Sequence, residues 1–254
     1  MTPILILMLG LTMLVTAFLS GIFGMAGGLI LIGVLLAVLP LPAAMALHAV
    51  TQMASNGWRA LLWWRHIRLR PALYFLAGGL VAVLVWSIFR YVPTKAMALL
   101  LLGATPFAAR YLLPETLKPN ADKFSHGLVY GAICMALMLL TGVTGPLLDT
   151  YFLGGKLDRR EIVATKAFCQ VANHFAKLVY FGGIVSSGAS IDPTMMIVAV
   201  AASIAGTTAA RRILEAMSDK QFRVWAMRII NSVCGYYVVQ GSYLLILPFF
   251  RALM

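Results

Sequence analysis

Gly24-Met25-Ala26-Gly27-Gly28 and Gly142-Val143-Thr144-Gly145-Pro146 each interrupt an apolar run that otherwise reads as a membrane helix. The second stretch follows the first by 118 positions (142 − 24). The same offset relates Gln52-Met53-Ala54-Ser55-Asn56 to Gln170-Val171-Ala172-Asn173-His174, Arg59 to Lys177, and His48 to Lys166. A break and a polar signature held in one register predict two structural repeats. Each carries a broken apolar segment followed by a polar-striped helix.

Working outward, the whole chain is apolar. Of its 254 residues 61% are hydrophobic and only 11% charged, against about 25% charged in a soluble domain. Such a chain cannot cover a water-facing surface, so it reads as an all-α integral membrane protein. The formal charge of +12 does not point to nucleic acid. Lys and Arg gather in short loops between spans, as the positive-inside bias requires, and no nucleic-acid motif is interleaved with them. Cys134, Cys169 and Cys234 lie inside apolar runs with no C-x-x-C spacing, which predicts small packing residues rather than disulfides or a zinc site. Met1-Thr2-Pro3-Ile4 lacks the basic region of a cleaved signal peptide, so the first helix is expected to stay.

Pro3 to Ser20 is long enough to cross, or nearly cross, a hydrocarbon core of about 30 Å. After the break, Leu29 to Leu39 spans only about 16 Å as a helix. It reads as a half-helix or re-entrant arm, closed by Pro40-Leu41-Pro42. Ala43 to Trp64 is the first striped helix, followed by spans from Pro71 to Phe89 and Thr94 to Leu113. In the second half, Phe124 to Thr141 is the long arm and Leu147 to Leu153 the short one. Asp158 to Phe181 is the second striped helix, with Asp158 as N-cap. Ile191 to Ala210 and Val224 to Phe250 complete the set, the last broken by Gly235, Gly241 and Pro248. Residues 1–113 and 124–254 are thus the repeats, each of about five hydrophobic segments, and 114–123 the linker.

Loop charge predicts that the repeats are inverted. Arg65 to Arg70 is basic while its counterpart Gly182 to Ser190 is neutral, and Lys156, Arg159 and Arg160 face the neutral counterpart Ala37 to Pro42. Charge that swaps between equivalent loops is the signature of inverted topology. Arg90 and Lys95 are exceptions, outweighed by Arg211, Arg212, Lys220 and Arg223 opposite them. The linker then lies in the cytoplasm and both termini outside.

Glycine permits sharp turns and close backbone approach. A helix broken inside hydrocarbon is tolerated only where its freed groups are buried in protein or line a wet cavity, and freed amides at a half-helix N-terminus suit an anion. His48, Gln52, Ser55, Asn56 and Arg59 are spaced 0, 4, 7, 8 and 11 from the first, which places them on one helical face. Lys166, Gln170, Asn173, His174 and Lys177 repeat the set. Against lipid a single central Lys or Arg costs about 2.5–3.5 kcal/mol, so both stripes are expected to face the interior. Gln52, Asn56, Gln170 and His174 are too central to escape. Arg59 and Lys177 supply charge, while His48 and Lys166 sit nearer helix ends and are weaker candidates. Asp149 is the one acid near a break, positioned as a partner for a lysine or a coupling carboxylate. No Ser-His-Asp, H-E-x-x-H or P-loop arrangement appears, so no catalytic, metal or cofactor site is expected. If protons are coupled, His174 and Asp149 are the first titratable groups.

Amides, hydroxyls and cations without an acid select an oxyanion. The glycine stretches from Gly21 to Leu31 and from Thr141 to Leu148 resemble those of the TauE/SafE sulfite-exporter family, also called the toluene-sulfonate uptake permeases. The resemblance covers nearly the whole chain. Ala26 stands where many members have glycine, and Gly33 replaces a common proline. The resemblance implies a bacterial inner-membrane permease for sulfite, sulfonates or related small anions. It assigns Gly24, Gly27, Gly28, Gly142, Gly145 and Pro146 to the substrate region, with the stripes as neighbours. The alternatives are a cation or metal permease governed by Asp149 and the histidines, an intramembrane enzyme, for which Thr141 and Thr144 lack an activating partner, and a structural membrane protein. No GxxxG-type span stands apart from the breaks to predict a dimer.

Overall fold

The computed structural model describes residues 2–23, 26–111, 119–144, 147–148, 151–152, 157, 159–184, 192–217 and 219–253. Its α-helices are α1 (Pro3–Phe23), α2 (Ala26–Val38), α3 (Leu41–Leu62), α4 (Leu69–Phe89), α5 (Lys95–Tyr111), α6 (Phe124–Thr141), α7 (Arg159–Val179), α8 (Pro193–Ala216) and α9 (Asp219–Leu253). A π-helical turn, Tyr180–Ile184, extends α7. Five of these helices, α1, α4, α6, α8 and α9, carry apolar windows long enough to cross a membrane. The protein is an integral membrane protein, and its helices are arranged inside out by soluble standards. On α1, Leu7 is 73% exposed while Gly10, Thr16, Ala17 and Ser20 are buried. Large apolar groups face lipid, and small or polar ones face other helices.

The helices pair in four ways. α1 runs parallel to α8: Gly10 meets Val198, Leu14 meets Gly206, and Gly21 meets Ala210. α4 runs parallel to α6, where Phe75 meets Gly131 and Gly79 meets Met135. A Cβ on Gly131 would fall 1.9 Å from the Phe75 carbonyl oxygen, so this contact is backbone on backbone. α3 and α7 are antiparallel, with His48 against Lys177 and Gly57 against Val171. α5 and α9 are antiparallel too, with Gly103 against Cys234 and Leu100 against Gly241. The striped helices α3 and α7 therefore lie between the two parallel pairs. Among the described residues, Cys134, Cys169 and Cys234 are buried and none is in a disulfide.

Three expectations need correction. The first break is narrower than its glycines suggest, because α2 begins at Ala26 and takes Gly27 and Gly28 into its first turn. A Cβ on Gly27 would lie 1.8 Å from the Thr16 carbonyl oxygen, so that glycine serves the approach of α1 and α2. The last span is not broken: α9 continues through Gly235, Gly241 and Pro248. Gly241 admits the backbone of α5, which supplies packing that a lone helix would lack. The second striped helix does not simply end near Phe181 but widens into the π turn. The N-cap expected at Asp158 lies outside the described residues.

Candidate functional site

The second break is a true helix end. α6 stops at Thr141, and Gly142 adopts φ 89°, the left-handed conformation that caps helices, with its N–H donating to the Met138 carbonyl. Thr141 Oγ1 lies 2.9 Å from the Val143 carbonyl and accepts from the Val143 N–H, folding the turn back on itself. This leaves the Gly142 carbonyl without a helical partner. Lys177 on α7 supplies one: its Nζ donates to that oxygen at 2.8 Å.

The first break is gripped in the same manner. Arg59 Nη2 donates to the carbonyl of Ser20, in the last turn of α1, at 3.0 Å. Both cations thus sit at the carbonyl ends of the long arms, where the helix dipole favours positive charge. Arg59 is half-buried there.

Between the breaks, Lys177 Nζ also lies 2.7 Å from His48 Nδ1, and His48 Nε2 lies 3.0 Å from the Gly28 carbonyl in the first turn of α2. A carbonyl only accepts, so Nε2 carries the ring hydrogen and Nδ1 accepts from the lysine. The result is one chain of contacts, Gly28–His48–Lys177–Gly142, running from break to break. Both side chains are fully buried. His174 completes the centre, with its ring 5.5 Å from that of His48.

The other stripe residues are distributed around this bridge. Gln52 is buried with its amide against Gly28, where a Cβ would fall 3.3 Å from Oε1. Asn56 Nδ2 donates to the Gln52 carbonyl one turn back, and Asn56 Oδ1 lies 3.5 Å from Arg59 Nη1. Asn173 is buried but turns aside toward Gly79 of α4. Ser55 likewise turns to α8, where it shares a 2.8 Å hydrogen bond with Thr207. Gln170 and Lys166 are half-buried further along α7. Gly24, Gly145, Pro146 and Asp149 lie outside the described residues.

Among the described residues, several buried polar atoms here have no hydrogen-bond partner: Ser20 Oγ by the first break, Thr144 Oγ1 by the second, His174 Nδ1 between them, and Asn173 Nδ2 on the α4 side. Ser20 was not among the candidates from sequence, and Thr144 entered only as a nucleophile lacking an activating partner. Their counterparts at the 118-residue offset are Met138 and Ala26, so the repeat register carried no signal for either. Elsewhere, a cavity of about 190 Å³ opens where the end of α2 meets α5 and α9. Gly33, Leu36, Lys95, Leu99, Gln240 and Leu244 line it. Tyr237 packs against Gly33, and its hydroxyl donates to the Leu29 carbonyl at 2.6 Å, next to the residue that His48 contacts.

A family model described as Sulfite exporter TauE/SafE matches residues 9–237. No curated protein and no solved structure matches the chain.

Proposed function

Because the chain belongs to the sulfite exporter TauE/SafE family, a family of transporters rather than enzymes, we propose that it is a secondary permease for small sulfur-containing oxyanions, sulfite or organosulfonates. The anion sits between the two breaks. Lys177 and Arg59 supply charge, and Gln52, Asn56 and His174 supply hydrogen bonds. Ser20 and Thr144 add hydroxyls, and Asn173 flanks the site from the α4 side.

The observation that carries this reading is the set of unpartnered buried polar atoms around the cations. Each such atom costs about 1–3 kcal/mol when left unpaired. An oxyanion accepts from hydroxyl, imidazole and ammonium donors at once, and so satisfies several of them together.

The transport cycle is alternating access by two inverted repeats, residues 1–113 and 124–254, joined by a cytoplasmic linker. The pairing pattern supports this. Exchanging α1 with α6, and α4 with α8, maps the α1–α8 pair onto the α4–α6 pair. The α3–α7 and α5–α9 pairs map onto themselves, with antiparallel direction, as a twofold axis in the membrane plane requires. Both termini and the α2–α5–α9 cavity then lie outside a bacterial inner membrane.

Flux of sulfite and of a taurine-like sulfonate into proteoliposomes tests the proposal. Arg59→Gln and Lys177→Gln, folded as judged by a monodisperse elution profile, are expected to lose at least tenfold of that flux, the equivalent of about 1.4 kcal/mol. Wild-type rates in both variants would remove these residues from the site. Absence of anion flux in the wild type under any imposed gradient would sink the permease assignment.

A further inference from the structure

We infer that His48 and Lys177 form one proton-carrying unit, so that each anion crosses together with a proton. The inference rests on the anion site proposed above and adds a second substrate to it. The geometry admits a limited set of proton counts. His48 Nε2–H is committed to the Gly28 carbonyl, so the titrating positions are Nδ1 and Nζ, 2.7 Å apart. One proton fits between them, whichever nitrogen owns it. A second sets two N–H donors against each other and opens the bridge. Opening frees the Lys177 ammonium from His48 and detaches one break from the other.

The surroundings make that extra charge depend on the anion. The groups facing His48 are Lys177 and His174 from α7, the Gly28 carbonyl from α2 and the Gly142 carbonyl after α6. On α3 itself the next charge is Arg59, three turns away. Toward α8, α3 presents Ser55, bonded to Thr207, and α1 contributes no titratable side chain. Among the described residues none of these groups is an acid. Within that set an added proton is balanced by a bound anion, and by linkage anion binding draws the proton in as strongly as the proton draws the anion. On one face of the membrane a proton adds to the His48–Lys177 pair as the anion enters. On the other face both leave, and no bond of the anion is made or broken. His174, whose Nδ1 has no partner, serves the anion rather than the proton.

The test uses ethanesulfonate, which stays ionised across the working pH range and carries no proton of its own. Wild-type proteoliposomes with an alkaline lumen are expected to accumulate it by about tenfold per pH unit of gradient, with lumenal acidification read by a trapped dye. His48→Gln is expected to lose the response to the gradient in whatever exchange remains, and His126→Gln, in the first turn of α6 and outside the site, to keep it. Wild-type exchange of ethanesulfonate that ignores the pH gradient overturns the coupling and leaves the permease standing, whereas no exchange at all fails the permease itself. A response kept by His48→Gln, or lost by His126→Gln, overturns the assignment to His48. If His48→Gln moves no anion, Lys177→Arg, which cannot release its proton, carries the test: it is expected to lose the response, and a response it keeps overturns the pair as the proton carrier.

Discussion

The glycines of the two breaks are not interchangeable, and the difference is measurable. Gly142 needs its positive φ, so Gly142→Ala is expected to lower stability by about 1–2 kcal/mol. Gly27 faces backbone at 1.8 Å, and α1 and α2 must separate to admit a methyl group, so Gly27→Ala should be the worst of the series. Gly28 faces the end of the Gln52 side chain at 3.3 Å, which can yield by a few tenths of an ångström. Gly28→Ala should therefore keep most of its thermal stability in detergent while changing sulfite flux through Gln52. A melting order in which Gly28→Ala falls furthest would contradict this ranking. At this scale the burial of much of the candidate site was legible in the sequence, because face periodicity places Gln52, Asn56, His174 and Lys177 inside whatever their neighbours are. His48 was undervalued for a physical reason. Distance from a helix end measures the chance of reaching water, but α2 folds back over that end and buries it.

Among the elements, α9 and α2 show what a helical pattern conceals. Gly235 and Gly241 look alike in sequence as helix breakers. In the fold, a Cβ on Gly235 meets nothing within 4 Å, while one on Gly241 strikes Leu100 of α5 at 2.7 Å. Gly235→Ala is therefore expected to raise stability by about 0.5–1 kcal/mol, and Gly241→Ala to lower it. Equal melting shifts would show that α9 does not pack as described. Tyr237 holds α2 from the same helix, and Tyr237→Phe, which removes the hydroxyl bonded to the Leu29 carbonyl, should cost about 1 kcal/mol. These contacts were not legible from sequence because they join segments more than a hundred residues apart, and an apolar helix presents similar faces all round. The π turn at Tyr180–Ile184 escaped for a related reason: its Tyr180 hydroxyl donates to the Tyr91 carbonyl at 2.7 Å, a partner no local pattern reveals.

For the molecule as a whole, the offset of 118 residues is what led to the proposed twofold plan, and swapped loop charge to its proposed inversion. The proposed topology puts Arg65 in the cytoplasm and Tyr91 outside. With the native cysteines buried, an impermeant thiol reagent applied to whole cells should label Tyr91→Cys and spare Arg65→Cys. Labelling of both from one side would sink the inverted arrangement. What the offset could not show is how the halves are shared. α1 finds its close partner in α8, and α6 finds its own in α4, each across the linker. During synthesis the glycine-lined face of α4 emerges long before α6 exists to cover it, and α1 waits longer still for α8. The first half of the chain must therefore be held in the bilayer with its best contacts unmade. The proposed repeats are then not units of folding.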